Sequence, residues 1–88
     1  MNIEISKLSE EEIEKNKIYS WPIWSCEASE FDWEYADRET CLLLEGQVVV
    51  SGDFETVSFG AGDFVVFPKG LKCHWKVTTP VRKHYTFG

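Results

Sequence analysis

At 88 residues the chain has room for one domain and one core, and so small a core must be dense in large side chains; a composition 43% hydrophobic and 15% aromatic supplies them. A formal charge of −6 argues against non-specific phosphate binding, although Lys69, Lys72, Lys76, Arg82 and Lys83 gather near the C-terminus. No apolar run is long enough to span a bilayer, and three cysteines without a CxxC pair or a signal-peptide pattern read as a reduced, cytoplasmic protein.

In chain order, Asn2 to Ile5 is a short strand candidate. Ser9 followed three residues later by Glu12 is a capping box, so Glu10 to about Asn16 is expected to be one or two helical turns, with its acids where the helix dipole favours them. After Trp21-Pro22 the pattern changes to period two. Ile23–Glu27 and Glu30–Tyr35 alternate, and Thr40–Leu44 is a continuous apolar run. Gln47–Ser51, Glu55–Phe59, Phe64–Phe67, Cys73–Thr78 and Arg82–Phe87 follow. Glycine- and proline-bearing turn signals separate them, including Gly60-Ala61-Gly62-Asp63, Pro68-Lys69-Gly70 and Thr79-Pro80. Leu44-Glu45-Gly46-Gln47 is expected to form a tight hairpin, since Gly46 can supply a positive φ. Many short strands at regular spacing imply a sandwich or barrel, of roughly eight to ten strands.

Two spacings go further. Glu39 is followed, after six residues, by Gly46. Gly62 is followed by five residues, Pro68, one residue and Gly70. Together these resemble the two sequence motifs of the cupins. Trp24, Trp33, Glu39-Thr40, Leu44-Glu45-Gly46, Gly62-Asp63, Phe67-Pro68-Lys69-Gly70, Trp75-Lys76-Val77 and Arg82-Lys83 narrow the likeness. They look like the small single-domain cupins of the ureidoglycine aminohydrolase cupin-domain group. The resemblance covers most of residues 21–87. It implies an all-β fold, a double-stranded β-helix or jelly-roll barrel. Here residues 1–20 would add a strand and short helix and 21–88 the barrel, a single domain paired into a homodimer.

Cupins hold a metal with two His and a Glu of the first motif and a His of the second. Depending on whether three or four residues separate the second histidine position from Glu39, the two histidine positions are Trp33 and Tyr35, or Asp32 and Glu34. Alternation puts Phe31, Trp33 and Tyr35 on the apolar face and so favours the first pair. The second-motif histidine position is Cys73. The expected inward set is therefore Trp33, Tyr35, Glu39 and Cys73, with Cys41 and Trp75 two residues from members of it. Glu39 and Cys73, with Cys41 as an addition, are few ligands for zinc, iron or manganese, so neither metal nor other cofactor is expected. His74 adjoins the motif position but faces the other way in a regular strand, and His84 reads as a surface or interface residue.

Glu39 is the candidate acid–base: burial among aromatics favours its acid form unless a cation sits beside it. It reads equally well as a structural carboxylate paired with a cation such as Arg82. Trp33, Tyr35 and Trp75 either stack a flat or cationic ligand or fill the core. Cys73 lines the pocket rather than attacks, since a nearby Glu opposes thiolate formation; Cys41 and Cys26 suit small buried positions. Trp21 and Trp24 suit packing or a dimer contact. Three readings stay open: an enzyme of unassigned reaction on a small polar or nitrogenous metabolite, a non-catalytic small-ligand or assembly-partner cupin, and a metal cupin using Glu39, Cys73 and His74. None requires nucleic acid or a membrane.

Overall fold

A computed structural model describes residues 2–53 and 55–88. The chain runs β1 (Glu4–Ser6), α1 (Glu10–Lys15), a 3₁₀ turn (Ile18–Ser20), β2 (Ile23–Cys26), β3 (Ser29–Glu34), β4 (Glu39–Ser51), β5 (Thr56–Gly60), β6 (Phe64–Phe67) and β7 (Lys72–Phe87). The capping box forms as the sequence requires. Ser9 Oγ accepts the Glu12 amide at 3.1 Å, and Glu12 Oε1 accepts the Ser9 amide at 3.2 Å. α1 buries Ile13, which joins Ile18 and Leu42 in a small cluster outside the barrel core.

All pairings are antiparallel, and the two long strands organise them. β4 pairs with β7 from Glu39–Phe87 to Ser51–His74, the whole length of β4. The first part of β4 (39–42) also pairs with β6, and its last part (47–51) with β5. Likewise β3 pairs with the first part of β7 and β2 with a later part. Each long strand thus serves two layers, β1-β6-β4-β7-β2 and β5-β4-β7-β3, and the layers close over one core.

Two expectations are corrected here. Leu44–Gln47 is no hairpin: residues 39–51 form one strand, and the register shifts between Leu43 and Val48. Thr79-Pro80 does not end a strand either, so the described residues hold seven strands rather than eight to ten. The irregular corner explains both. Gly46 has φ 98°, and a Cβ there would collide with the Pro80 carbonyl and lie 2.7 Å from Val81 Cα. Only glycine allows β4 and β7 to cross so closely. The bulge also changes the inward set of β4: Glu39, Cys41 and Leu43 are buried before it, Val48 and Val50 after it.

The Pro68-Lys69-Gly70 turn fixes one end of the barrel. Gly70, at φ 87°, donates its amide to the Tyr35 carbonyl at 2.7 Å, and the Tyr35 amide donates to the Leu71 carbonyl at 2.9 Å. Tyr35 is thereby locked at the end of β3, its ring stacked on Phe67 with centroids 4.9 Å apart.

Candidate functional site

Alternation along three strands builds the site. β7 turns Trp75, Lys83 and Tyr85 to one side, β3 adds Phe31 and Trp33, and β2 adds Trp24, directly opposite Lys83 in the register. With Tyr35, Glu39 and Phe87 these side chains line a cavity of about 200 Å³. Its walls are almost wholly aromatic. Phe31 stacks on Trp75 at 5.9 Å, and Trp24 meets both rings edge-on at 6.3 and 6.1 Å. The half-exposed rings of Trp33 and Phe87 form the rim.

Two charges lie in these apolar surroundings. Lys83 Nζ donates to Glu39 Oε2 at 2.9 Å, with side chains only 6% and 4% exposed. The ammonium also sits over two indole faces, 4.7 Å from the Trp75 centroid and 4.9 Å from that of Trp24. Removing both ions from water carries a desolvation penalty that their attraction offsets only when the remaining lone pairs are also bonded. Here they are not. Glu39 Oε1 is buried and without a hydrogen-bond partner among the described residues, as is Trp75 Nε1. Burial, and then the negative charge of Glu39, push the Tyr35 phenol far up, so Tyr35 stays a neutral phenol near the carboxylate, without a hydrogen bond to Glu39 Oε1.

Of the residues singled out from sequence, Trp33, Tyr35, Glu39 and Trp75 share this cavity; Cys73 and Cys41 do not line it. Cys41 is sealed in the core, its thiol 3.6 Å from the Val65 carbonyl and its pKa pushed up to about 12, chiefly by burial. Cys73 lies against a shallower groove with Asp32, Trp33 and His74, its thiol 3.7 Å from the Trp33 carbonyl. Burial raises its pKa against the opposing influence of the Trp75 indole. The cation beside Glu39 is Lys83 and not Arg82, which reaches Glu45 on the outer face at 3.6 Å. The inner surface thus carries two charges, Glu39 and Lys83. Trp24 is a cavity wall, and His84 is buried, its Nδ1 2.9 Å from the Trp21 carbonyl.

Sequence reading missed Lys83, Trp24, Tyr85 and Phe87, and placed Phe31 on the inward face without including it in the site. The signal existed for Lys83: it sits on the face of β7 that carries Val81 and Tyr85, an inward position for a charge.

The metal of the cupin motifs does not fit these residues. Trp33 and Tyr35 stand at two ligand positions, and Cys73 lies off the cavity. Glu39, the remaining carboxylate, already holds an ammonium. His74 points outward to Asp32 and Glu30, at 2.9 and 3.1 Å.

The EutQ-like cupin domain model matches residues 13–85. Among solved structures, a DUF861 family protein from Thermotoga maritima superposes with a TM-score of 0.96 at 45% identity, covering 99% of this chain and 100% of that one. The EutQ protein of Clostridium difficile gives 0.68 at 25% identity over 74% of this chain and 52% of its own. A putative ethanolamine utilization protein Q from Salmonella typhimurium shares the fold, with a TM-score of 0.68 at 24% identity over 99% and 69%. No curated protein matches the chain.

Proposed function

This chain belongs to the EutQ-like cupin domain family, and from that premise we propose that its barrel binds a small, flat, neutral molecule bearing a carbonyl group and a neighbouring hydrogen-bond donor. The observation that carries this reading is the partnerless Glu39 Oε1, buried beside Lys83 in an aromatic cavity. A buried acceptor without a donor is costly, and a ligand N–H or O–H would satisfy it. The ligand carbonyl would accept from Lys83, whose ammonium has donors left after bonding Glu39. The charges of the pair cancel, which favours a neutral ligand over an ion, and the indole and phenyl walls favour a flat one. An amide or ureido edge meets these demands, in keeping with the narrower likeness to the ureidoglycine aminohydrolase cupin group.

Benzamide is a suitable probe. It should quench the tryptophan fluorescence saturably, and Glu39→Gln should weaken its affinity by about 10- to 100-fold, the worth of a hydrogen bond to a charged group. Absence of saturable quenching by benzamide and similar flat amides in the wild-type protein would sink the reading.

A second reading, turnover with Glu39 as acid–base, is favoured by the same geometry. One carboxylate oxygen is held by Lys83 while the other is free to exchange a proton with a ligand. Pairing into homodimers belongs to the proposal too, supported by the exposed apolar side chains Ile5, Tyr19, Ile23 and Phe87. A monomer in sedimentation at tens of micromolar, roughly the range where ordinary interfaces hold, would count against it.

A further inference from the structure

We propose that Lys83 is a carbonyl-condensing amine, which forms a protonated imine with a small aldehyde or ketone admitted to the cavity. The proposal rests on the reading that the cavity binds a carbonyl-bearing molecule, and it names what happens to the carbonyl carbon. Lysine amines become nucleophiles where they are desolvated in apolar pockets. Lys83 is the buried lysine among the described residues. It lines an aromatic cavity large enough for a small molecule, and two indole faces confine its ammonium. A lysine kept only for stability has no need of a cavity at its amine or of a carboxylate with a free second oxygen.

That carboxylate completes the chemistry. Glu39 Oε2, 2.9 Å from Nζ, takes a proton from the ammonium. The freed nitrogen lone pair attacks the carbonyl carbon, a C–N bond forms, and the carbonyl π pair moves onto oxygen. Glu39 delivers its proton to that oxygen, giving a carbinolamine. A second proton passes from nitrogen through Glu39 to the hydroxyl, and the C–O bond breaks as water leaves. The product is a C=N double bond bearing one proton on nitrogen, with the Glu39 carboxylate restored as its counter-ion. Ammonium and carbonyl have become protonated imine and water, so charge and protons balance without any further reagent. A neutral aldehyde or ketone with a flat apolar body suits the site, because the ion pair is neutral overall and the walls are aromatic.

The test uses benzaldehyde with cyanoborohydride, which reduces an imine to a stable benzyl-amine. Peptide mapping of the wild-type protein should place the benzyl group on Lys83 before any exposed lysine, and excess benzamide should suppress the labelling. Lys83→Arg should abolish that label, and Glu39→Gln should slow it by about 100-fold, a typical loss when a general acid–base is removed. Labelling confined to exposed lysines while benzamide still binds would overturn the imine and leave the binding pocket standing. Neither benzamide binding nor a Lys83 label would overturn both. Labelling of Lys83 no faster than that of exposed lysines, and indifferent to benzamide, would also overturn it.

Discussion

β7 carries two ion pairs on adjacent residues, one on each face. Outside, Arg82 meets Glu45 at 3.6 Å with side chains 46% and 62% exposed. Inside, Lys83 meets Glu39 at 2.9 Å, buried among rings. The chemistry of the partners is nearly the same, and the surroundings decide what each pair does. In water an ion pair gains little, because solvent already satisfies both ions. In the barrel each ion depends on the other, and a carboxylate oxygen left over becomes a demand for a ligand.

The largest effect should come from breaking the inner pair on one side only. Lys83→Met leaves a buried carboxylate unpaired and should lower unfolding stability in urea by about 3–5 kcal/mol. A loss under about 1 kcal/mol would place the inner pair with ordinary surface pairs and end the contrast. Replacing both partners, Lys83→Met with Glu39→Leu, should recover most of that stability, because a buried ion pair is often no better than apolar side chains of similar size. The double variant should nonetheless fail to bind benzamide. If it proves no more stable than the single variant, unpaired charge was not the cause of the loss.

Arg82→Ala should change stability by no more than about 1 kcal/mol, and molar salt, with a screening length of about 3 Å, should erase the difference. The smallest effect lies further along the outer face. His74 sits between the carboxylates of Asp32 and Glu30, which raise its pKa, Asp32 more than Glu30. A histidine raised on folding stabilises the fold when protonated. Its contribution is full below the unfolded pKa and fades as pH rises through the folded one. NMR titration should find His74 above the usual histidine range, and Asp32→Asn should bring it down. A His74 pKa unmoved by Asp32→Asn would remove this cluster from the comparison.

The barrel was legible because period-two alternation and the two glycine-bearing motifs are local, and the Ser9–Glu12 capping box spans a single turn of chain. Half of the cavity followed from parity on β3 and β4: Trp33, Tyr35 and Glu39 are where alternation puts them, with Trp75 on β7. Lys83 escaped because the basic cluster near the C-terminus invites reading as a solvated surface, and because its partner lies 44 residues away, across a β4–β7 pairing no local pattern specifies. Trp24 escaped for a similar reason, since its role depends on lying opposite Lys83. The false hairpin at Leu44–Gln47 has a different origin. A bulge and a turn both place a positive-φ glycine at a break in alternation. Only the partner strand, here Pro80 and Val81 pressed against Gly46, distinguishes them.

That corner limits how such a barrel can diverge. Between the pairs Leu43–Lys83 and Val48–Val77 β4 advances five residues while β7 advances six, and the odd step on β4 behaves like a frameshift element for side-chain faces. With the irregular crossing at Gly46 kept, deleting a single residue between Leu43 and Val48 would reverse the facing of every β4 residue beyond it, and Val48 and Val50 would leave the core that they share with Glu39. Point substitutions can redecorate the cavity one wall at a time, but a one-residue deletion at this corner exchanges inside for outside over half a strand. The permitted route to a new ligand therefore runs through replacement of side chains, with the length of this corner held constant.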